Sequence, residues 1–225
     1  MTIDSILSLI ESKNITQVFI DVDDTLINGN SGYLFAKFLY KKGAIKLKDI
    51  STLPFKMVLY KLGLLNYNTL LNSALKIWKG KHVSELEAFG EEFYHQHIKK
   101  LIFNTSPKLI ERLKRKPFNI SLISASPIEV LSHLAKDLNV RLIATQLEKS
   151  GDLFTGKIIG PLCYGSGKLE LIQKSISNTN RFCALSDSIT DFPMLNAADL
   201  AIAINPDFQL RKKAHKNGWA IFKFE

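Results

Sequence analysis

Three carboxylates fall within four positions at Asp21-Val22-Asp23-Asp24, directly after the apolar run Gln17-Val18-Phe19-Ile20 and just before Thr25. Acids crowded beside a buried strand are costly to desolvate unless a cation or hydrogen-bond donors compensate them. The i, i+2 spacing lets Asp21 and Asp23 project into one site from an irregular loop, with Thr25 free to bond locally. That arrangement points to catalysis. The plainer alternatives are a helix N-cap cluster or a calcium loop, although the latter wants more acids and a central glycine.

A second acidic pair, Asp187 and Asp191, follows the apolar run Arg181-Phe182-Cys183-Ala184-Leu185, at i, i+4 across an expected helix start. Hard oxygen ligands from separate loops suit Mg²⁺, with waters and a substrate phosphate completing six positions. Taken alone, these two acids would read as helix caps. Ser124-Ala125-Ser126 ends a further apolar run, where a small hydroxyl and free backbone N–H groups beside a helix N-terminus can cradle phosphate. Ser126 is also fully explained as an N-cap. Lys168, in Gly165-Ser166-Gly167-Lys168-Leu169, opens a helix, where its charge opposes the dipole and hints at another task. The string fails as a nucleotide-binding P-loop, because Leu169 stands where Ser or Thr is required.

These residues need a frame that brings strand ends together. Asn119-Ile120-Ser121-Leu122-Ile123, Val140-Arg141-Leu142-Ile143-Ala144 and Leu200-Ala201-Ile202-Ala203-Ile204 resemble the apolar runs at 17–20 and 181–185. Separated by helical patterns, such runs indicate a parallel sheet covered on both faces, and its ligand crevice lies at the carboxyl ends of the strands. Ser106-Pro107 opens a helix that must stop before Pro117, Ser126-Pro127-Ile128-Glu129 reads as a capping box, and Asn205-Pro206 opens a helix that Gly218 closes. Glu148 to Asp152 reads as the turn of an antiparallel hairpin. Residues from about 32 to 105 differ, being helical by pattern (Leu34, Phe35, Phe38, Leu39; then Leu70, Leu71, Ala74, Leu75, Trp78) and broken at Pro54 and Gly63. The expectation is an α/β fold, a three-layer Rossmann-like parallel-sheet core (1–30 and 107–225) with an inserted all-helical cap domain (31–106).

The ordered set Asp21-x-Asp23-x-Thr25, Ser124, Lys168 and Asp187-x-x-x-Asp191 resembles the four motifs of the haloacid dehalogenase superfamily. The stretches Leu122 to Pro127, the hairpin around Phe154-Thr155-Gly156, Asp187 to Leu195, and the tail from Asn205-Pro206-Asp207 to Gly218-Trp219 are similar to its phosphoserine-phosphatase-like branch, which carries a helical cap between the first two motifs. The resemblance implies a phosphatase in which Asp21 attacks phosphorus and forms an aspartyl-phosphate, while Asp23 protonates the leaving alkoxide and then activates water. It further implies Mg²⁺ held by Asp21, the backbone carbonyl of Asp23 and Asp187, with Asp191 orienting a metal-bound ligand. Ser124 and Lys168 would bind the phosphoryl oxygens. Two positions depart from the pattern: Asp24 replaces a common glycine, as does Ser186. In the phosphoserine phosphatases an acid and a cap arginine hold the amino acid, and their positions fall here on Asn30 and Ala74. Free phosphoserine is therefore expected to be a poor substrate. A lysophospholipid-like, sugar or polyol phosphate fits the lysine-rich, aromatic cap better. A phosphotransferase passing the group to an alcohol shares all of this chemistry.

Composition bounds the rest. At 225 residues, 46% hydrophobic and 23% charged, the chain can bury a full core without disulfides. Cys163 and Cys183 lack metal-type spacing and are expected as unpaired thiols. Met1-Thr2-Ile3-Asp4 is unlike a signal peptide, and no run reaches the roughly 18 apolar residues of a membrane span, so a cytoplasmic protein is expected. The net charge of +9 is uneven, since residues 30–106 hold 12 lysines against 5 acids. Such a surface suits an anionic partner, whether phosphorylated metabolite, nucleic acid or lipid head group, or is simply solvated; a small phosphorylated metabolite is expected and nucleic acid is not. A non-catalytic polyanion-binding module is the rival from another class. His95 and His97 lie on different helix faces, which disfavours a shared metal. Lys114-Arg115-Lys116 reads as a solvated helix end, and Trp219 and Phe222 as core residues of a final strand.

Overall fold

The computed structural model describes residues 3–46, 64, 76–177 and 181–225. Along the chain run α1 (Ile3–Ser12), β1 (Gln17–Asp21), α2 (Ser31–Lys41), α3 (Val83–Phe93), α4 (Thr105–Lys114), β2 (Asn119–Pro127) and α5 (Ile128–Leu138). They are followed by β3 (Arg141–Ser150), β4 (Leu153–Ile159), α6 (Ser166–Ser175), β5 (Phe182–Ser186), α7 (Phe192–Ala197), β6 (Leu200–Ile204), α8 (Phe208–Asn217) and β7 (Ala220–Phe222). The strands form one seven-stranded sheet in the order β4-β3-β2-β1-β5-β6-β7, parallel throughout except for the β3–β4 hairpin.

Period-2 alternation builds the three layers. Val18 and Ile20 of β1, Cys183 and Leu185 of β5, and Leu200, Ile202 and Ile204 of β6 enter one apolar cluster, shared with α1, α4 and α5. Their neighbours Phe19, Phe182, Ala184, Ala201 and Ala203 enter a second cluster with α6, α7 and α8. Both faces are covered, so β1, β5 and β6 are buried at every position, as parallel strands require. Both cysteines are buried and unpaired. No helix among the described residues is long and apolar enough to cross a membrane.

Between β1 and β2 every described element is helical, and α3 runs on through a π turn (Tyr94–Ile98) to Leu101. Pro54, Gly63, Leu70, Leu71, Ala74 and Leu75 lie outside the described residues. The helical segment packs Phe35 on Phe38, Trp78 and Phe93, with ring centroids 5.1–6.4 Å apart, and this aromatic group is continuous with the first sheet cluster. It also covers the edge of β4: the Gly80 N–H donates to the Phe154 carbonyl (2.8 Å), and the Phe154 N–H donates to the Lys81 carbonyl (3.0 Å). A covered edge cannot recruit another strand.

α3 crosses α5 so closely that a Cβ on Gly90 would sit 2.0 Å from the Glu129 carbonyl oxygen. Neither partner is a flexible side-chain end, so the helices must separate to admit a methyl group. Gly90→Ala is expected to destabilise the protein by about 1–3 kcal/mol, the usual range for overpacking, despite alanine's better helix propensity. Thermal unfolding measures it, and an unchanged or raised Tm would contradict the close crossing.

Two expected caps are replaced. β2 continues to Pro127, and no side chain caps α5. Ser126 bonds to Ser31 across the fold, and the buried Glu129 pairs with Lys149 (3.2 Å). At α8 the cap is Asp207, not Asn205, and Gly218 ends the helix with φ 67°. His95 is exposed, whereas the His97 ring packs edge-on against Phe38 and tilted against Phe93 in the aromatic group.

Candidate active site

β1, β2 and β5 are adjacent and parallel, with Asp21 in register with Ile123, and Ile20 with Leu185. Asp21, Ser124 and Asp187 therefore leave three neighbouring strand ends at the same level. After β1 the chain folds tightly over its own backbone: the amides of Thr25, Leu26 and Ile27 all approach the Val22 carbonyl, at 3.3, 2.8 and 3.1 Å. Asp24 takes a left-handed φ of 52° to allow this turn, a conformation glycine adopts without strain. The Thr25 hydroxyl then lies 3.3 Å from Asp21 Oδ2 and 3.2 Å from Asp187 Oδ1, between the two carboxylates.

β2 bulges against β3 between Ser124 and Pro127, and the Thr145 hydroxyl holds the bulge through the Ala125 carbonyl (2.7 Å). Bulges of this kind re-aim side chains at sites. The Ser126 N–H donates to Ser124 Oγ (3.2 Å), so the Ser124 O–H proton remains available. Asp23 Oδ1 accepts the Ser31 N–H (2.9 Å), and the Ser31 hydroxyl meets Ser126 Oγ (2.7 Å). Thus the first residue of α2 ties Asp23 to the β2 bulge.

Lys168 is delivered by close packing. A Cβ on Gly167 would lie 1.9 Å from the Leu162 carbonyl, so only glycine lets α6 start this near the preceding loop. The buried Lys168 ammonium donates to Asp21 Oδ1 (2.5 Å) and Asp191 Oδ2 (2.6 Å). Asp191 Oδ2 also accepts the Ser186 hydroxyl (2.7 Å), while Asp191 Oδ1 is buried without a partner. Asp207 braces the loop after β5. Its N–H donates to the Asp187 carbonyl (2.8 Å), and its carboxylate accepts the Ile189 and Leu210 amides (2.8 and 2.7 Å).

The six residues singled out from sequence, Asp21, Asp23, Ser124, Lys168, Asp187 and Asp191, line one cavity of about 290 Å³. Among the described residues lining it, five carboxylates, Asp24 included, face a single ammonium. Burial, with repulsion from Asp191 and Asp23, raises the Asp21 pKa despite Lys168. Burial, then Asp21, Asp24 and Asp191, raises that of Asp187, and burial raises that of Asp23 against the Ser31 hydrogen bonds. Burial opposes the Lys168 charge, but Asp191 and Asp21 outweigh it and hold its pKa above the ordinary value. Excess negative charge, a hydroxyl wedged between Asp21 and Asp187, and an orphaned Asp191 oxygen fit a small hard cation. No closed cluster of three His, Cys, Asp or Glu side chains exists among the described residues.

Sequence reading did not find Ser31, Ser186 and Asp207 as parts of this site. Their signals, a serine opening a helix, a departure from a motif and an aspartate two residues after Asn205, are local, whereas their partners lie across the fold.

The haloacid dehalogenase-like hydrolase model matches residues 18–196. Phosphoserine phosphatase SerB1 of Mycobacterium tuberculosis is 32% identical over 92% of this chain and 70% of its own length. A histidinol-phosphatase of Neisseria meningitidis is 27% identical over 91% of this chain and 97% of its own. The crystal structure of a Bordetella pertussis protein of unknown function superimposes with a TM-score of 0.86, at 25% identity over 92% of this chain and 98% of that one. With motif residues at three strand ends and a family match across most of its length, the chain belongs to the haloacid dehalogenase-like hydrolases.

Proposed function

We propose that this chain is a Mg²⁺-dependent phosphatase that hydrolyses small phosphate monoesters through an aspartyl-phosphate on Asp21. The observation that carries the reading is the Lys168 ammonium bridging Asp21 and Asp191 while Asp187 faces Asp21 across the Thr25 hydroxyl. Asp21 attacks phosphorus, and the P–O bond to the leaving alkoxide breaks. Asp23, raised by burial and steered by the Ser31 amide, gives that alkoxide its proton. The resulting Asp23 carboxylate then takes a proton from the water that attacks phosphorus, which returns Asp21 and releases phosphate. Ser124 donates its free hydroxyl proton to one phosphoryl oxygen, and Lys168 turns part of its charge to another, where negative charge spreads in the transition state. Mg²⁺ would be held by Asp21, Asp187 and the Asp23 carbonyl, with Asp191 behind, and supplies charge neutralisation between carboxylate and phosphate. The helical segment within 31–106 acts as the cap that shields this exchange from bulk water.

SerB1 and the histidinol-phosphatase are named for two different phosphates, that of the amino acid serine and that of histidinol, so the likeness leaves the leaving group to this chain's own pocket. Asn30 lines the cavity, and its Oδ1 is spent on the Tyr33 amide (2.8 Å), which leaves an amide NH₂ where a carboxylate would hold an ammonium group. Ala74, the other position that bears on phosphoserine, lies outside the described residues. Losing one charge-assisted hydrogen bond costs about 1.5–3 kcal/mol, so phosphoserine should trail the best substrate in kcat/KM by about ten- to a hundredfold on the strength of Asn30 alone. The test is phosphate release from a panel of monoesters with and without Mg²⁺, with alcohol acceptors added in parallel. Phosphoserine ranking first by a clear margin would overturn the reading of Asn30, and absence of any Mg²⁺-dependent release would overturn the phosphatase.

A further inference from the structure

The outer face of the helical segment has a composition that the phosphatase chemistry does not use. Residues 31–42 and 94–106 together hold five lysines and two histidines and no acid. On α2 the buried side carries Phe35, Phe38 and Leu39, and the opposite side presents Tyr33, Lys37, Tyr40 and Lys41, all exposed. Tyr33 is 66% and Tyr40 44% exposed, unusual for large rings. Spaced i, i+7, they stand on one stripe about 10.5 Å apart, with Lys37 between them.

The segment continuing α3 lies alongside. The Phe38 and His97 ring centroids are 5.6 Å apart, and Lys42 pairs with Glu92 to fasten α2 to α3. Lys41, Lys100 and Lys37 lie near enough to His97 that, after burial, their charges add to lowering its pKa. Among the described residues Lys37, Lys41, Lys99 and Lys100 have no ion-pair partner. The face is therefore a patch of uncompensated positive charge carrying two exposed phenol rings.

We propose that this face docks the protein on an anionic lipid bilayer, with Lys37, Lys41 and Lys100 meeting the headgroups and Tyr33 and Tyr40 seated at headgroup level. Tyrosine places an apolar ring and a polar hydroxyl at such an interface, and lysine stems lie along it while the ammonium stays hydrated. Negative leaflets attract each nearby lysine with about 1 kcal/mol, so several act together where one would fail. A lipid surface is favoured over nucleic acid because the exposed rings are tyrosines flanking a lysine on one helix stripe, the residue types that sit together at headgroup level. The docked orientation also has a consequence, because Asn30 and Gly32 at the N-terminus of the same helix line the cavity. Binding rests on the patch alone and does not depend on the catalytic reading.

The test is co-sedimentation of the full chain with phosphatidylcholine vesicles containing one-third phosphatidylglycerol, beside pure phosphatidylcholine vesicles and a single-stranded oligonucleotide. The expected result is binding to the anionic vesicles only, lost in 0.5 M salt. Lys37→Glu/Lys41→Glu/Lys100→Glu should weaken vesicle partitioning about a hundredfold or more, at about fivefold per lysine, with unchanged circular dichroism and unchanged turnover of a soluble monoester. The glutamine triple variant, which introduces no repulsion, should lose most of the same affinity. Tyr33→Ala/Tyr40→Ala should weaken binding severalfold at constant charge. No sedimentation with anionic vesicles, equal binding by the glutamate variant, or oligonucleotide binding in place of vesicle binding overturns the proposal.

Discussion

Asp21→Asn is expected to lower kcat by about four orders of magnitude or more while leaving the protein folded. An amide is a far weaker nucleophile than a carboxylate, and no neighbouring group can take over an attack that needs this position. The fold should survive for an electrostatic reason. Asp21 has a raised pKa in the folded chain because burial, Asp191 and Asp23 together outweigh Lys168. A carboxyl with a folded pKa above its unfolded value loses stabilising free energy as pH rises from about 4 through that folded pKa. Asparagine never ionises, so the metal-free variant should melt no lower than the parent at pH 8. Mg²⁺ should then raise the Tm of the parent more than that of the variant, because the variant lacks one of its ligands. Asp23→Asn should instead be graded by leaving group, with alkyl phosphates suffering more than aryl phosphates that depart without a proton. Parent-like turnover by purified Asp21→Asn protein would sink the mechanism, and a large Tm loss at pH 8 would sink the electrostatic account.

Much of this site was legible because its chemistry sits where strands end. Apolar runs at 17–20, 119–123 and 181–185 were each followed by polar residues out of keeping with a core, and a parallel sheet sets such ends side by side. Other features depend on contacts between residues far apart in sequence. Ser126 satisfies every local rule for an N-cap, yet its hydroxyl goes to Ser31, 95 positions away, because the β2 bulge turns it from the helix. Gly90 and Gly167 look like helix-weakening residues until the facing carbonyls of Glu129 and Leu162 are in place. Asp207, not the expected Asn205, caps α8, and its second oxygen also fixes the loop that carries Asp187. Lys168 shows the same limit from the other side. Its position against the helix dipole marked it as functional, but its two partners, 147 and 23 residues away, could not be counted from the string.

Those partners make Lys168→Ala the second large expected effect, with a stability component that a purely phosphate-binding lysine would lack. Lys168 is 4% exposed and, among the described residues, is the only cation lining a cavity with five carboxylates. Removing it leaves Asp21 and Asp191 buried and mutually repelling, with Asp191 Oδ1 already unpartnered. Breaking a buried pair from one side costs about 3–5 kcal/mol. The Lys168 charge itself is constant between pH 5 and 8, since its folded pKa lies above the ordinary value. The pH dependence must come from Asp21, whose pKa burial and neighbouring acids raise to about 7: protonated at low pH it repels little, and ionised at higher pH it repels strongly. The Tm deficit of the variant should therefore be small near pH 5 and grow steadily towards pH 8. Turnover should fall by about a thousandfold even at pH 5.5 and low temperature, where the variant stays folded, because the phosphoryl oxygens lose their cation. Asp187→Asn offers the contrast. It removes a carboxylate whose pKa burial and like charges raise, so it should be at least as stable as the parent at pH 8 yet need far more Mg²⁺ for activity. Equal Tm for Lys168→Ala and the parent across this range would show that the bridge to Asp21 and Asp191 holds nothing together. A deficit that shrinks with rising pH would assign its cause to lost packing, and parent-like kcat/KM would remove Lys168 from the phosphate site.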